Sequence, residues 1–181
     1  VTHIPSMPYQ EAPAFYAWLK TQNSISTLAL RFLMLTVART SEVRLATFDE
    51  IDGDVWNLPA ARTKTGREHR VALTDEAKAI VQRCRELSSN GYLFPALKGK
   101  PISDMAMSAL MKREKHEARP HGFRATFRTW CEECTDAPFE VKEAALGHAV
   151  DAGVVGAYQR SDRFVQREKL LAKWTDYVAQ Q

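Results

Sequence analysis

Between Thr47 and Leu73 the chain reads TFDEIDGDVWNLPAARTKTGREHRVAL. Three short runs, Thr47 to Ile51, Val55 to Leu58 and His69 to Leu73, are set apart by Asp52-Gly53-Asp54 and by Thr63-Lys64-Thr65-Gly66-Arg67. Short runs with β-branched and aromatic residues, bounded by glycine-containing turns, predict strands joined as hairpins. The stretch reads as one three-stranded antiparallel sheet. Helical spacing governs the sequence on both sides of it, so the fold class is mainly α with a small three-stranded antiparallel β-sheet, an α+β arrangement.

Upstream, Phe15, Trp18 and Leu19 fall at helical spacing between Tyr9 and Thr21, and Ser24 is placed to cap a second helix. Its run from Leu28 to Val37 is apolar nearly all round, which predicts a central core helix. It ends at Ala38-Arg39-Thr40-Ser41-Glu42-Val43, where Thr40 or Ser41 is expected to cap a short third helix. Arg39 then lies at a helix-to-helix junction, with Glu42 one turn away to hold its guanidinium.

Downstream, Asp75 to Leu87 reads as a helix stopped by Ser88-Ser89-Asn90-Gly91, and Ser103 is expected to cap a helix running to about Ala118. Met107, Leu110 and Met111 on that helix read as core filling. Pro120 breaks it, and the next helix carries His121, Arg124, Phe127, Arg128 and Trp130. Pro138 to Leu146 makes another, closed by Gly147 before His148. The last, about Asp162 to Ala179, presents a wide apolar stripe of Phe164, Leu171, Trp174 and Val178, so it packs on its own domain or docks on a neighbour.

A chain of 181 residues, 45% hydrophobic and 26% charged, fits a single domain over residues 1–181. The stretch from Val1 to Pro8 is proline-containing and reads as an extended lead-in of the kind that succeeds a linker, so the chain is expected to be a piece of a longer protein. No apolar run approaches the roughly 18 residues of a membrane span and no charged-then-apolar leader opens the sequence. That predicts a soluble, cytoplasmic protein with no membrane partner. Cys84, Cys131 and Cys134 form no even disulfide set, and Cys131-Glu132-Glu133-Cys134 lacks the second ligand pair of a structural zinc site, so neither metal nor cofactor is expected. A net charge of +3 and a pI of 8.8 are mild for a nucleic-acid binder. The distribution says more, because Arg62, Lys64, Arg67, Arg70, Lys98, Lys100, Lys112, Arg113 and Lys115 cluster in or beside expected loops and turns.

Several of these residues can carry chemistry. His121 and Arg124 stand at i, i+3, where both can face one anionic oxygen. Lys64 occupies a glycine-containing hairpin, His148 comes directly after Leu146-Gly147, and Tyr158 lies in Gly156-Ala157-Tyr158-Gln159-Arg160. Each has a plain structural alternative: Lys64 as a solvated loop lysine, Arg39 paired with Glu42, His148 as a helix cap, Tyr158 as a core aromatic. Their order along the chain, at helix ends and loop tips, is harder to explain that way.

Taken together, the boxes resemble those of the tyrosine recombinases, specifically the catalytic domain of phage and prophage-type integrases. Ala38-Arg39-Thr40-Ser41-Glu42 resembles the first-arginine box, Arg62-Thr63-Lys64 the sheet lysine, His121-Gly122-Phe123-Arg124 the His-x-x-Arg box, Leu146-Gly147-His148 the second histidine box and Ala157-Tyr158-Gln159-Arg160 the tyrosine box. One departure is Ala38, where the family usually has glycine. The resemblance implies site-specific DNA recombination through a 3′-phosphotyrosine intermediate, without metal or ATP, with Arg39, Lys64, His121, Arg124, His148 and Tyr158 catalytic and Glu42 supporting. It implies double-stranded DNA attachment sites as the partner, a homo-tetramer of the intact protein on DNA, a role for accessory DNA-bending proteins, and a separate N-terminal DNA-binding domain outside this chain. Two other readings fit the same residues: a topoisomerase-like relaxing enzyme, and a helical DNA-binding module in which Tyr158 is dispensable.

Overall fold

A computed structural model describes residues 3–149 and 162–180. Tyr158 and its box lie outside the described residues. The helices are α1 (Ala12–Lys20), α2 (Ile25–Thr36), α3 (Thr40–Arg44), α4 (Asp75–Leu87), α5 (Ala106–Arg113), α6 (Phe123–Cys134), α7 (Phe139–Ala145) and α8 (Phe164–Ala179). The strands are β1 (Ile51–Asp52), β2 (Val55–Leu58) and β3 (His69–Ala72). They form one antiparallel sheet in the order β1-β2-β3, with Trp56 opposite Val71 and Leu58 opposite His69.

Helix α2 is the axis of the packing. Ser24 caps it through a reciprocal box with Thr27, and nine of its residues, including Leu30, Phe32, Leu33, Met34 and Leu35, are buried. Trp56 from the sheet lies 5.1 Å, ring to ring, from Phe32, which also meets Phe94 at 5.7 Å, so sheet and helices share one core. Helix α8 packs within the same chain, against α1, β3, α7 and α2. Its Leu170, Leu171, Trp174 and Val178 are buried, and Trp174 sits among Phe127, Trp130 and Tyr177. The stripe that left own-domain packing and docking on a neighbour both open is covered by the protein itself.

Three expectations need correction. Thr47 to Ile51 is not a full strand: Phe48–Glu50 forms a 3-10 turn and β1 is only two residues long. Here Phe48 N bonds Gly91 O, Thr47 pairs with Tyr92, and Glu50 turns inward onto Trp56 Nε1, so the run is consumed by contacts other than a ladder. Helix α5 begins at Ala106 and ends at Arg113, shorter than Ser103 to Ala118, because Lys115 adopts a left-handed φ of 61° that stops the helix. The third helix is capped by neither Thr40 nor Ser41. Its N-cap is Arg39, whose backbone N–H donates to Glu42 Oε2 at 2.8 Å.

Among the described residues no helix is long and apolar enough to cross a membrane, and no group of three or more His, Cys, Asp or Glu side chains is placed to hold a metal ion. Cys84, Cys131 and Cys134 are free thiols.

Candidate active site

The site is built on the C-terminal end of α2. Val37 leaves the helix at a φ of 50°, in the left-handed region that a β-branched residue rarely adopts. Strain of this kind costs on the order of 1–3 kcal/mol and persists only where the surroundings fix it. Two side chains do so by taking carbonyls that a helix end leaves without intrahelical partners. Trp174 Nε1 donates to Met34 O at 2.7 Å, and Arg124 Nη1 donates to Val37 O at 2.7 Å. A cation at the negative end of the helix dipole adds to the second bond.

Arg124 arrives from the first turn of α6. Its Nη2 donates to Leu146 O at 2.7 Å and meets His148 Nε2 at 3.0 Å. A guanidinium carries five N–H donors and no acceptor, so His148 Nε2 supplies a lone pair here and its proton is on Nδ1. That Nδ1 lies 2.7 Å from Glu143 Oε2. Three of the five donors are thus engaged, leaving two with no acceptor among the described residues. Burial, with the Arg39 cation beside it, pulls the Arg124 guanidinium down to about 10, still charged at neutral pH. Only 7% of the residue is exposed.

Arg39 approaches from the other side of the same junction. Its Nη1 pairs with Glu42 Oε1 at 3.1 Å, and Glu42 is 2% exposed. One carboxylate therefore fixes both the backbone and the guanidinium of Arg39. His121 sits two residues ahead of α6, in the 3-10 turn Pro120–Gly122 rather than in the helix that was expected to carry it. Gly122 is required there: a Cβ would stand 2.3 Å from Pro5 O and 2.9 Å from Ser6 Cα, so the lead-in segment presses directly on the turn. Burial lowers the His121 pKa, and the Arg124, Arg39 and Lys64 charges lower it further against the pull of Glu42. That imidazole therefore shares its electrostatic surroundings with every described cation of the expected site. Lys64 itself is exposed, on the connection from β2 to β3.

Arg39, Lys64, His121, Arg124 and His148 are brought to one place with Glu42 beneath Arg39; Tyr158 lies outside the described residues. Two members were not foreseen. Glu143 holds both His148 Nδ1 and Arg128 Nε, the latter at 2.8 Å. Burial raises its pKa, but the bonds from His148 and Arg128 outweigh this and hold it below the ordinary value. The signal was present in Glu143-Ala144-Ala145-Leu146-Gly147-His148: His148 N bonds Glu143 O and Gly147 N bonds Ala144 O, the Schellman closure that glycine at a φ of 65° permits. Such a closure stacks the residue after the glycine over the one five before it. The other is His69, whose pKa falls to about 4 through burial and then through Arg167, Arg124 and Arg39. No local signal marks His69, since strand β3 meets Gly147 only in the fold.

A model described as the phage integrase family matches residues 6–163. The chain belongs to the phage integrase family. Prophage integrase IntA of Escherichia coli K12 is 34% identical over 185 residues, a match covering 97% of this chain and 45% of that protein. Prophage integrase IntZ of the same strain is 31% identical over the same coverage, and the integrase of enterobacteria phage P4 is 27% identical, covering 97% of this chain and 46% of its own. The chain spans about half the length of the curated relatives it matches. Among solved structures, the lambda integrase catalytic core superposes with a TM-score of 0.61 at 17% identity, over 82% of this chain and 94% of that one. A lambda integrase (75-356) dimer bound to a COC′ core site gives 0.64 at 16% identity, over 84% and 60%. At that identity the likeness is one of fold, and it agrees with the mainly helical architecture around a small sheet described above.

Proposed function

We propose that the chain is the strand-cleaving and rejoining domain of a site-specific DNA recombinase that integrates or excises a mobile element. The observation that carries the reading is Arg124, buried against Val37 O and Leu146 O, with Arg39 and His121 beside it and two donors left over. Buried, oriented donors stabilise the charge that develops on the non-bridging oxygens of a phosphodiester under attack, and they do so without a metal. Membership of the integrase family, and DNA-bound structures of lambda integrase as a dimer and as a tetramer on a Holliday junction, support double-stranded DNA as the partner and a tetramer as the working assembly. The intact protein then acts in the cytoplasm on nucleoid DNA, with DNA-bending proteins where its sites are long.

In this reading Tyr158 Oη forms a bond to phosphorus while the bond from phosphorus to the 5′ oxygen breaks. The tyrosine proton goes to His121, whose lowered pKa keeps the imidazole neutral and able to accept it. Lys64 gives a proton to the departing 5′ oxygen. His148, with Nε2 on Arg124, orients that guanidinium, and Glu143 on Nδ1 holds the imidazole in turn. The product is a 3′-phosphotyrosyl link and a free 5′ hydroxyl, so attack by another strand's 5′ hydroxyl completes exchange without ATP.

The test is covalent capture. The intact protein is incubated in chelator with end-labelled nicked duplexes of randomised sequence and then denatured. Label retained on protein is expected, and the recovered sequence defines a core duplex. Tyr158→Phe is expected to bind that duplex with near-unchanged affinity and to retain no label, while Arg124→Ala slows cleavage by roughly 10²-fold to 10³-fold. Binding without label from the unaltered protein would leave only a DNA-binding module.

A further inference from the structure

Arg62 lies two residues before Lys64, at the end of the 3-10 turn Ala60–Arg62 that opens the connection from β2 to β3. Its Nη2 donates to Glu50 Oε2 at 2.6 Å and to the Glu42 carbonyl at 3.2 Å. Glu50 Oε2 also accepts the Trp56 indole N–H at 2.9 Å, and Oε1 faces the Thr47 hydroxyl at 3.3 Å. One guanidinium thus joins three pieces: α3, whose Glu42 carboxylate carries Arg39; the buried face of the sheet, through Glu50 and Trp56; and the connection that bears Lys64.

Beyond Arg62 the connection is bonded mainly to itself. Thr63 Oγ1 donates to Arg67 O at 2.7 Å and Gly66 N to Thr63 O at 3.3 Å, and residues 64–68 are exposed. The tip therefore takes its direction from its base. Two residues of chain span no more than about 7 Å, so Lys64 cannot move far from where Arg62 is held. Meanwhile Arg62 Nε and Nη1 are buried with no acceptor among the described residues. A buried donor left without a partner costs folding free energy, so stability alone does not account for an arginine here. What a planar fork supplies, and a flexible ammonium does not, is a fixed direction.

We infer that Arg62 is a positioning residue that sets the Lys64 proton donor at a fixed place relative to the Arg39–Glu42 support. The inference rests on the reading of Lys64 as the donor to the 5′ oxygen. A proton donor must come within about 2.6–3.2 Å of the atom it serves, and misplacement by an ångström can cost about 10²-fold in rate.

A leaving group that needs no proton separates this role from a general structural one. The core duplex is synthesised with either oxygen or sulfur at the 5′ bridging position of the scissile phosphate. With sulfur, the bond broken is from phosphorus to sulfur, and the departing thiolate, a far weaker base than an alkoxide (a cysteine thiol ionises at about 8.5), leaves unprotonated. Single-turnover adduct formation is measured for the intact protein and its variants on both duplexes. Lys64→Ala is expected to be slow on oxygen and close to the unaltered protein on sulfur. Arg62→Ala is expected to behave the same way, about 10²-fold slow on oxygen and within a few-fold on sulfur, while Arg39→Ala stays slow on both. Arg62→Lys keeps a charge for Glu50, and the Arg62→Gln/Glu50→Gln pair strands no buried carboxylate; thermal melts identify which of the three are folded, and any folded one gives the readout. Arg62 variants equally slow on both duplexes, or unimpaired on oxygen, would overturn the inference while leaving Lys64 in its role. A Lys64→Ala protein still slow on sulfur would remove the reading of Lys64 and the inference with it.

Discussion

His69 shows how much a single side chain in this site depends on its surroundings. It stands where a Cβ on Gly147 would come within 3.4 Å of its ring, and three arginines act on it. In the unfolded chain it titrates near 6.5; in the folded protein burial and those cations lower this to about 4. Between the two values the unfolded chain binds a proton that the folded protein refuses, so folding stability rises with pH across that window. The contribution is fully present above about 6.5 and is lost as pH falls towards about 4, up to roughly 3 kcal/mol at about 1.4 kcal/mol per pH unit. Melting temperatures at pH 7.5 and pH 4.5 are therefore expected to differ more for the unaltered protein than for His69→Gln. An equal fall in both would mean that His69 is protonated in the fold. The residue was not legible as part of the site, and neither was Glu143, because each is defined by a partner on another element or across a helix terminus. Arg39, Lys64, His121, Arg124 and His148 were legible because their residue types recur in short boxes whose order the chain preserves.

At the scale of elements, helix α8 changes the expected result of a truncation. Read from the sequence, its apolar stripe left packing on its own domain and docking on a neighbour both open, and docking would make removal a loss of assembly more than of phosphate contact. In the fold, Trp174 fills the space between α2 and α6 and donates to Met34 O, while Arg167 and Arg70 both hold Asp162 at the start of the helix. Trp174 is fully buried, and truncating such a residue costs about 3–5 kcal/mol. Removal of Phe164 to Gln181 is therefore expected to abolish cooperative thermal unfolding altogether, as monitored by near-ultraviolet circular dichroism. A shortened protein that still melts sharply would show α8 to be peripheral. The sheet teaches the complementary point: β2 and β3 were readable from short strand-favouring runs between glycine-containing turns, whereas Thr47 to Ile51 has strand-like composition but gives up most of its ladder so that Glu50 can reach Trp56 and Arg62.

Across the whole molecule, one helix organises both core and chemistry. Helix α2 is buried along its length, and its C-terminal carbonyls recruit Trp174 from one end of the chain and Arg124 from the middle, so the packing that stabilises the protein also aims the arginine. His148 is placed by the same device, because α7 ends where Leu146 O meets that guanidinium. What this arrangement lacks among the described residues is a nucleophile, and Tyr158 is the residue that the order of the boxes assigns to it. The most direct measurement is to form the covalent complex with the core duplex, trim the DNA with nuclease, digest the protein and locate the residual nucleotide by mass spectrometry. The account predicts a 3′-nucleotide on the hydroxyl of Tyr158 and on no other residue; a nucleotide on Tyr92, Tyr177 or any serine would contradict it.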